Sequence, residues 1–106
     1  SQRERIVVLA DRGIGILATL KRVRPELANA QEALKVAFTE TVSGRYPESR
    51  GNGLKFVRRV IVDNAFTLYF QTGDAYLYLK QGDKDITVRP AKNFVRGCFA
   101  KISFEG

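Results

Sequence analysis

The sequence predicts an α+β fold, a two-layer sandwich with helices packed on one face of a mixed, mainly antiparallel sheet. Three observations carry the prediction. Apolar residues recur at steps of three and four in segments between Ile16 and Ile61. From Phe66 onward they alternate or form β-branched runs, cut by Gly-Asp pairs, and no helical spacing returns. Helices gathered in one stretch and hairpins in another favour α+β over repeated βαβ units.

Residues 4 to 10, ERIVVLA, form a β-branched apolar run expected as a strand buried on both faces. Helical spacing follows at Ile16, Leu17, Leu20 and Val23, and Pro25 closes that segment. Ala30, Ala33, Leu34, Ala37 and Phe38 give an amphipathic helix over about residues 28 to 41, with ELANAQEA as its start. The stretch from Ser43 to Gly53, SGRYPESRGNG, has little to bury and is expected as a mobile loop. Leu54, Val57, Val60 and Ile61 resume the helical period until about Asn64. Strands FTLYFQT, AYLYLKQ and DITVRP come next, separated by Gly73-Asp74 and Gly82-Asp83 as in antiparallel hairpins. The last strand, GCFAKISFE, puts Cys98, Ala100, Ile102 and Phe104 on one face.

Residues 1–106 make a single domain, and 44% apolar with 27% charged residues is ordinary soluble composition. No run approaches membrane-spanning length, so no membrane association is expected. One cysteine, Cys98, leaves no intrachain disulfide, and a chain without histidine lacks the usual material for a zinc site or an imidazole base. This cysteine usage is compatible with the cytoplasm, the expected location. Methionine is absent, so Ser1 is not expected to be the natural start: either a Met is trimmed before this small residue or the chain is an excised domain, and excision is the favoured expectation. The net charge of +7 asks for an anionic partner.

Two segments hold the material for a site. In VVLADRGIGILATL a carboxylate, Asp11, ends a strand and is followed by Gly13 and Gly15. Such an acceptor can sit at the floor of a pocket whose glycines admit a ligand, or it can cap the next helix. In RGNGLKFV, Gly51 and Gly53 stand where a loop enters a helix. Free N–H groups there suit phosphate oxygens, although a polar loop also needs glycines simply to turn. Neither a Walker A nor a Rossmann glycine pattern occurs.

Together, ADRGIGILATL, an amphipathic helix, a flexible segment, RGNGLKFV and a late Thr72-Gly73 resemble the nucleotide-binding domain of GHKL (Bergerat-fold) ATPases, most of all bacterial histidine-kinase-like domains. The resemblance spans nearly the whole chain. It implies ATP or ADP as ligand, with magnesium carried through the nucleotide. Asp11 would accept the exocyclic amine of adenine, directly and through a water beside Thr72, while Gly13 and Gly15 shape the wall beside the base. Residues 43 to 50 would form a lid. Gly51, Asn52, Gly53 and Leu54 would bring N–H groups to the phosphates, with Arg45, Arg50 and Lys55 adding charge.

The chain departs from the family ahead of Asp11. The ten residues SQRERIVVLA hold no Asn to bind magnesium and read as strand, and Glu4 is no credible base. The resemblance is therefore to the C-terminal part of such a domain, a nucleotide-binding module expected to be inactive alone. No catalytic residue is assigned, and whether a parent would be an ATPase or a protein kinase stays open. A homo-oligomer is expected if missing helices leave apolar surface uncovered. Two rivals stand beside it. One is a basic module binding nucleic acid through Tyr69, Tyr76, Tyr78 and Phe99 with Arg89 and Lys101, disfavoured because no nucleic-acid signature is found. The other is a protein-interaction domain that has lost its nucleotide.

Overall fold

The computed structural model describes residues 4–39 and 53–105. Strand β1 (Glu4–Asp11) is followed by helices α1 (Gly15–Lys21), α2 (Ala30–Thr39) and α3 (Gly53–Asp63), then by the long strands β2 (Phe66–Lys80) and β3 (Val88–Glu105). The fold is α+β, and the three strands form one sheet in the order β1-β3-β2 with both pairings antiparallel.

The helices start and stop where local chemistry dictates. Asn29 caps α2, its Oδ1 accepting the Glu32 N–H at 2.9 Å, while Glu32 Oε1 accepts the Ala28 N–H at 2.8 Å. The first bond satisfies a donor that the first turn leaves without a partner, and the second holds the residue just ahead of the cap. At the other end, Arg58 of α3 donates to the Phe38 carbonyl and the Lys84 carbonyl, both at 3.1 Å. One of the basic residues of α3 thus ties the end of α2 to the β2–β3 connection.

The apolar stripes of the helices meet one face of β2. Leu20, Leu34, Phe38 and Ile61 pack with Leu68, Phe70, Leu77 and Leu79 in a single core. Phe38 meets Phe70 edge to face with ring centroids 5.5 Å apart. Within β2 the buried positions alternate on either side of a break at Gly73, as expected of a half-covered strand.

Three expectations change. Gly73-Asp74 does not turn the chain, because Phe66–Lys80 is one strand and Gly73, at φ +59°, lies in a bulge. Only the VRP end of DITVRP is strand, and it belongs with GCFAKISFE to one strand, so the only hairpin turn among the described residues follows Lys80, where Gly82 has φ +83° and Asp83 Oδ2 accepts the Lys80 N–H. The third is β1, which among the described residues borders only β3 and has Ile6, Val7, Val8 and Leu9 between 42 and 58% exposed. A continuous apolar run reveals an intent to be covered but not the presence of a cover.

The two long strands are out of step where the bulge lies. Thr72 pairs with Cys98, but Gly73 pairs with Val95 and Ala75 with Pro90. Regular pairing would bring Gly97 and then Asn93 to those places, so β3 carries extra residues on both sides of Val95. Gln71 holds this excursion. Its buried amide donates to the Asn93 carbonyl at 2.6 Å and the Gly73 carbonyl at 3.2 Å, and accepts the Tyr69 hydroxyl at 2.8 Å.

Candidate functional site

Asp11, Cys98 and Thr72 form one lateral row across the three strands, since Cys98 is the partner of both. Lateral partners share a face, here the face the helices cover. The row lies at the end of the sheet beneath the start of α1. Asp11 is exposed, and its Oδ1 accepts the Gly13 N–H at 3.0 Å in a tight Asx turn. It does not cap α1, whose N-cap is Ile14.

Thr72 is buried and engaged on three sides. Its hydroxyl donates to the Gly97 carbonyl at 2.9 Å, accepts the Ile16 N–H at 3.2 Å, and lies 3.9 Å from the Cys98 sulfur. It therefore fixes the first turn of α1 to both strands. A water reaches Thr72 only by displacing the thiol, the weakest of the three contacts. Burial chiefly, with the Asp11 carboxylate adding, holds the Cys98 thiol above its ordinary range, against the lowering effect of the Thr72 hydroxyl.

Three glycines let these backbones approach. Gly15, at φ +88°, would place a Cβ 3.3 Å from Thr72 Oγ1. Gly97, at φ +79°, would place one 1.9 Å from the Asp11 carbonyl oxygen. Gly13 packs on the Asp11 carboxylate, where a Cβ would stand 3.3 Å from Oδ2. The left-handed backbone strains any side chain at the first two positions, and at Gly97 the lack of room excludes one outright.

Two hollows flank the row and share Val95 and Arg96. A cleft of about 580 Å³ is walled by Gly13, Gly15, Leu17, Thr72, Phe94 and Arg96. A smaller one of about 350 Å³ is lined by Asp11, Arg12, Cys98 and Phe99. Asp11 therefore lines the smaller hollow, and Gly13, Gly15 and Thr72 line the larger one.

The expected phosphate segment is not brought to this row among the described residues. Gly53 begins α3 and Leu54 packs against the core. Lys55 Nζ reaches the Ala37 carbonyl at 3.5 Å, beside a hollow of about 320 Å³ formed with Phe38, Arg58 and Asp83. Helix α3 touches α2 and β2, and neither α1 nor β1. Arg45, Arg50, Gly51 and Asn52, and the expected lid over residues 43–50, lie outside the described residues.

Gly97, Cys98 and Gln71 were not picked out by sequence as parts of the site. A glycine inside a strand pattern marks a bulge or a close approach, and that signal was present in VRGCF. Nothing in the sequence pairs Cys98 with Asp11 and Thr72, because register is a property of the folded sheet.

Among the described residues no helix covers the opposite face of the sheet. Tyr69 and Tyr76 stack at 5.2 Å, Phe99 meets Tyr69 at 6.3 Å, and Tyr78 is 57% exposed. Lys101 and Arg89 are the register partners of Tyr69 and Tyr76. Among the described residues no group of three or more His, Cys, Asp or Glu gathers to hold a metal, and no helix is long and apolar enough to cross a membrane. Compared with protein-family models, curated proteins and solved structures, the chain matches none significantly.

Proposed function

We propose that the chain is an adenine-nucleotide-binding module of the GHKL type, taking ATP or ADP with magnesium carried on the phosphates. The observation that carries this is the Asp11–Cys98–Thr72 row beside the two positive-φ glycines. Asp11 and Cys98 line the smaller hollow together, so a flat heterocycle held by Asp11 would lie beside a small neutral thiol that Thr72 supports from behind. Asp11 is exposed, and the Gly13 N–H is its only hydrogen-bond donor among the described residues, so the carboxylate retains acceptor capacity for an exocyclic amine. Thr72 and the glycines hold the floor rigid, and Arg12 and Arg96 bring positive charge beside Asp11. No residue is assigned to the metal and no hydrolytic step to the chain.

Displacement of a fluorescent ADP analogue by ATP tests this. The chain binds, and Asp11→Asn weakens binding by about tenfold to a hundredfold, the loss of one charged hydrogen bond of about 1.5–3 kcal/mol. Asn retains the acceptor for the Gly13 N–H, so the melting curve holds. Unchanged affinity in a folded Asp11→Asn chain overturns the proposal.

A second reading has its own observation, the open face where aromatic rings lie beside Lys101 and Arg89. Stacking platforms flanked by cations suit single-stranded nucleic acid. A salt-dependent shift of a single-stranded oligonucleotide, lost in Tyr78→Ala and Lys101→Ala, would favour it over the nucleotide.

A further inference from the structure

We infer that β1 is a self-pairing edge, on which a second copy of this chain docks to extend the sheet to six strands. The outer edge of β1 has no strand neighbour among the described residues, and Ile6, Val7, Val8 and Leu9 are each 42 to 58% exposed. Exposed edges are ordinarily blunted by proline, charged side chains, a bulge or brevity, and the charges of β1 lie only at its ends, leaving residues 6–10 apolar. This one is eight residues long, pairs with β3 without a register break, and contains neither proline nor lysine. It offers a row of N–H and C=O groups whose natural complement is another strand.

The charges on the strand select the partner and the register. Antiparallel pairing about a two-fold axis through Val8 sets Val8 opposite the partner's Val8, Val7 opposite the partner's Leu9, and Ile6 opposite the partner's Ala10. The same register sets Arg5 opposite the partner's Asp11, and symmetry repeats that pair. Moving the axis to Val7 places Arg5 opposite Leu9, and moving it to Leu9 places Asp11 opposite Val7. Only the Val8 register joins opposite charges while matching apolar residue to apolar residue, and opposite charges facing each other across a pair stabilise it. Even-numbered residues meet on the open face and odd-numbered ones on the helix face, so no side chain changes face. A C2 contact of this kind is isologous and closes at the dimer.

Sedimentation of the intact chain over a range of concentrations gives a monomer–dimer equilibrium. Val8→Lys, which sets two lysines opposite each other at the axis, weakens it by about a hundredfold or more. Val8 is half exposed, so the variant keeps the wild-type circular dichroism spectrum. Mild oxidation reads the register. Val8→Cys alone forms a covalent dimer through residue 8, whereas Val7→Cys and Leu9→Cys cross-link efficiently only when mixed, since facing Cα atoms lie within disulfide reach. A wild-type chain that stays monomeric at millimolar concentration, an oligomer indifferent to Val8→Lys, or equal cross-linking of all three single variants overturns the inference.

Discussion

Gly97 lies with its backbone against the carbonyl of Asp11, so close that a Cβ on Gly97 would stand 1.9 Å from that oxygen. The contact joins the end of β1 to the β3 excursion, and no side chain fits it. Gly97→Ala therefore costs about 2–4 kcal/mol, from a left-handed backbone and a forced shift of β1. For a domain of this size the melting temperature falls by about 10–20 °C. A thermal melt within a few degrees of wild type contradicts the contact.

Thr72 acts through its hydroxyl rather than its volume. Thr72→Val keeps the shape but leaves the Gly97 carbonyl and the Ile16 N–H without their partner. Groups stripped of a bond in a buried setting cost about 1–3 kcal/mol. Thr72→Ser retains both bonds and stays well above Thr72→Val in denaturant titrations. Equal loss in the two variants would assign Thr72 to packing alone.

The hold of Gln71 on the β3 excursion is a local matter. Gln71→Leu removes the bonds to Asn93 and Gly73 and leaves the helical core untouched. Amide exchange in residues 91–97 then speeds up by about tenfold, while the protected amides of α2 keep their rates. A uniform increase across the chain would mean global destabilisation instead.

Cys98 makes stability fall at alkaline pH. Its thiol is raised by burial in the folded chain, so the unfolded chain loses the proton first, near pH 8.5. Above that pH the folded state binds more protons than the unfolded one, and stability declines as pH rises through the folded value. Cys98→Ser removes this component. Denaturation at pH 7.5 and pH 9.5 gives a smaller drop for the variant than for wild type, and an equal drop refutes it.

How far the sequence reached differs by element. Helical spacing gave α2 and α3, and ELANAQEA marked the start of α2, where the structure adds the bonds between Asn29, Glu32 and Ala28, because these are contacts among residues three and four apart. Gly82-Asp83 marked the turn for the same reason, a local backbone need met locally. The fold class followed from where helical and alternating patterns lie along the chain. Asp11, Gly13 and Gly15 were legible as candidates by residue type alone.

The tertiary structure decided what depends on partners distant in the chain. Gly73 looked like a turn and became a bulge because Val95, far along β3, pairs with it. The apolar run of β1 suits a strand covered on both faces, yet among the described residues only β3 lies beside it. Asp11 faces Thr72 across Cys98 through the antiparallel register of three strands, which no single segment encodes. Sequence by itself determined which segments coil, extend or turn, because those preferences act over a few residues. The meeting of Asp11, Thr72 and Gly97 came only with the closure of contacts between residues distant in the chain.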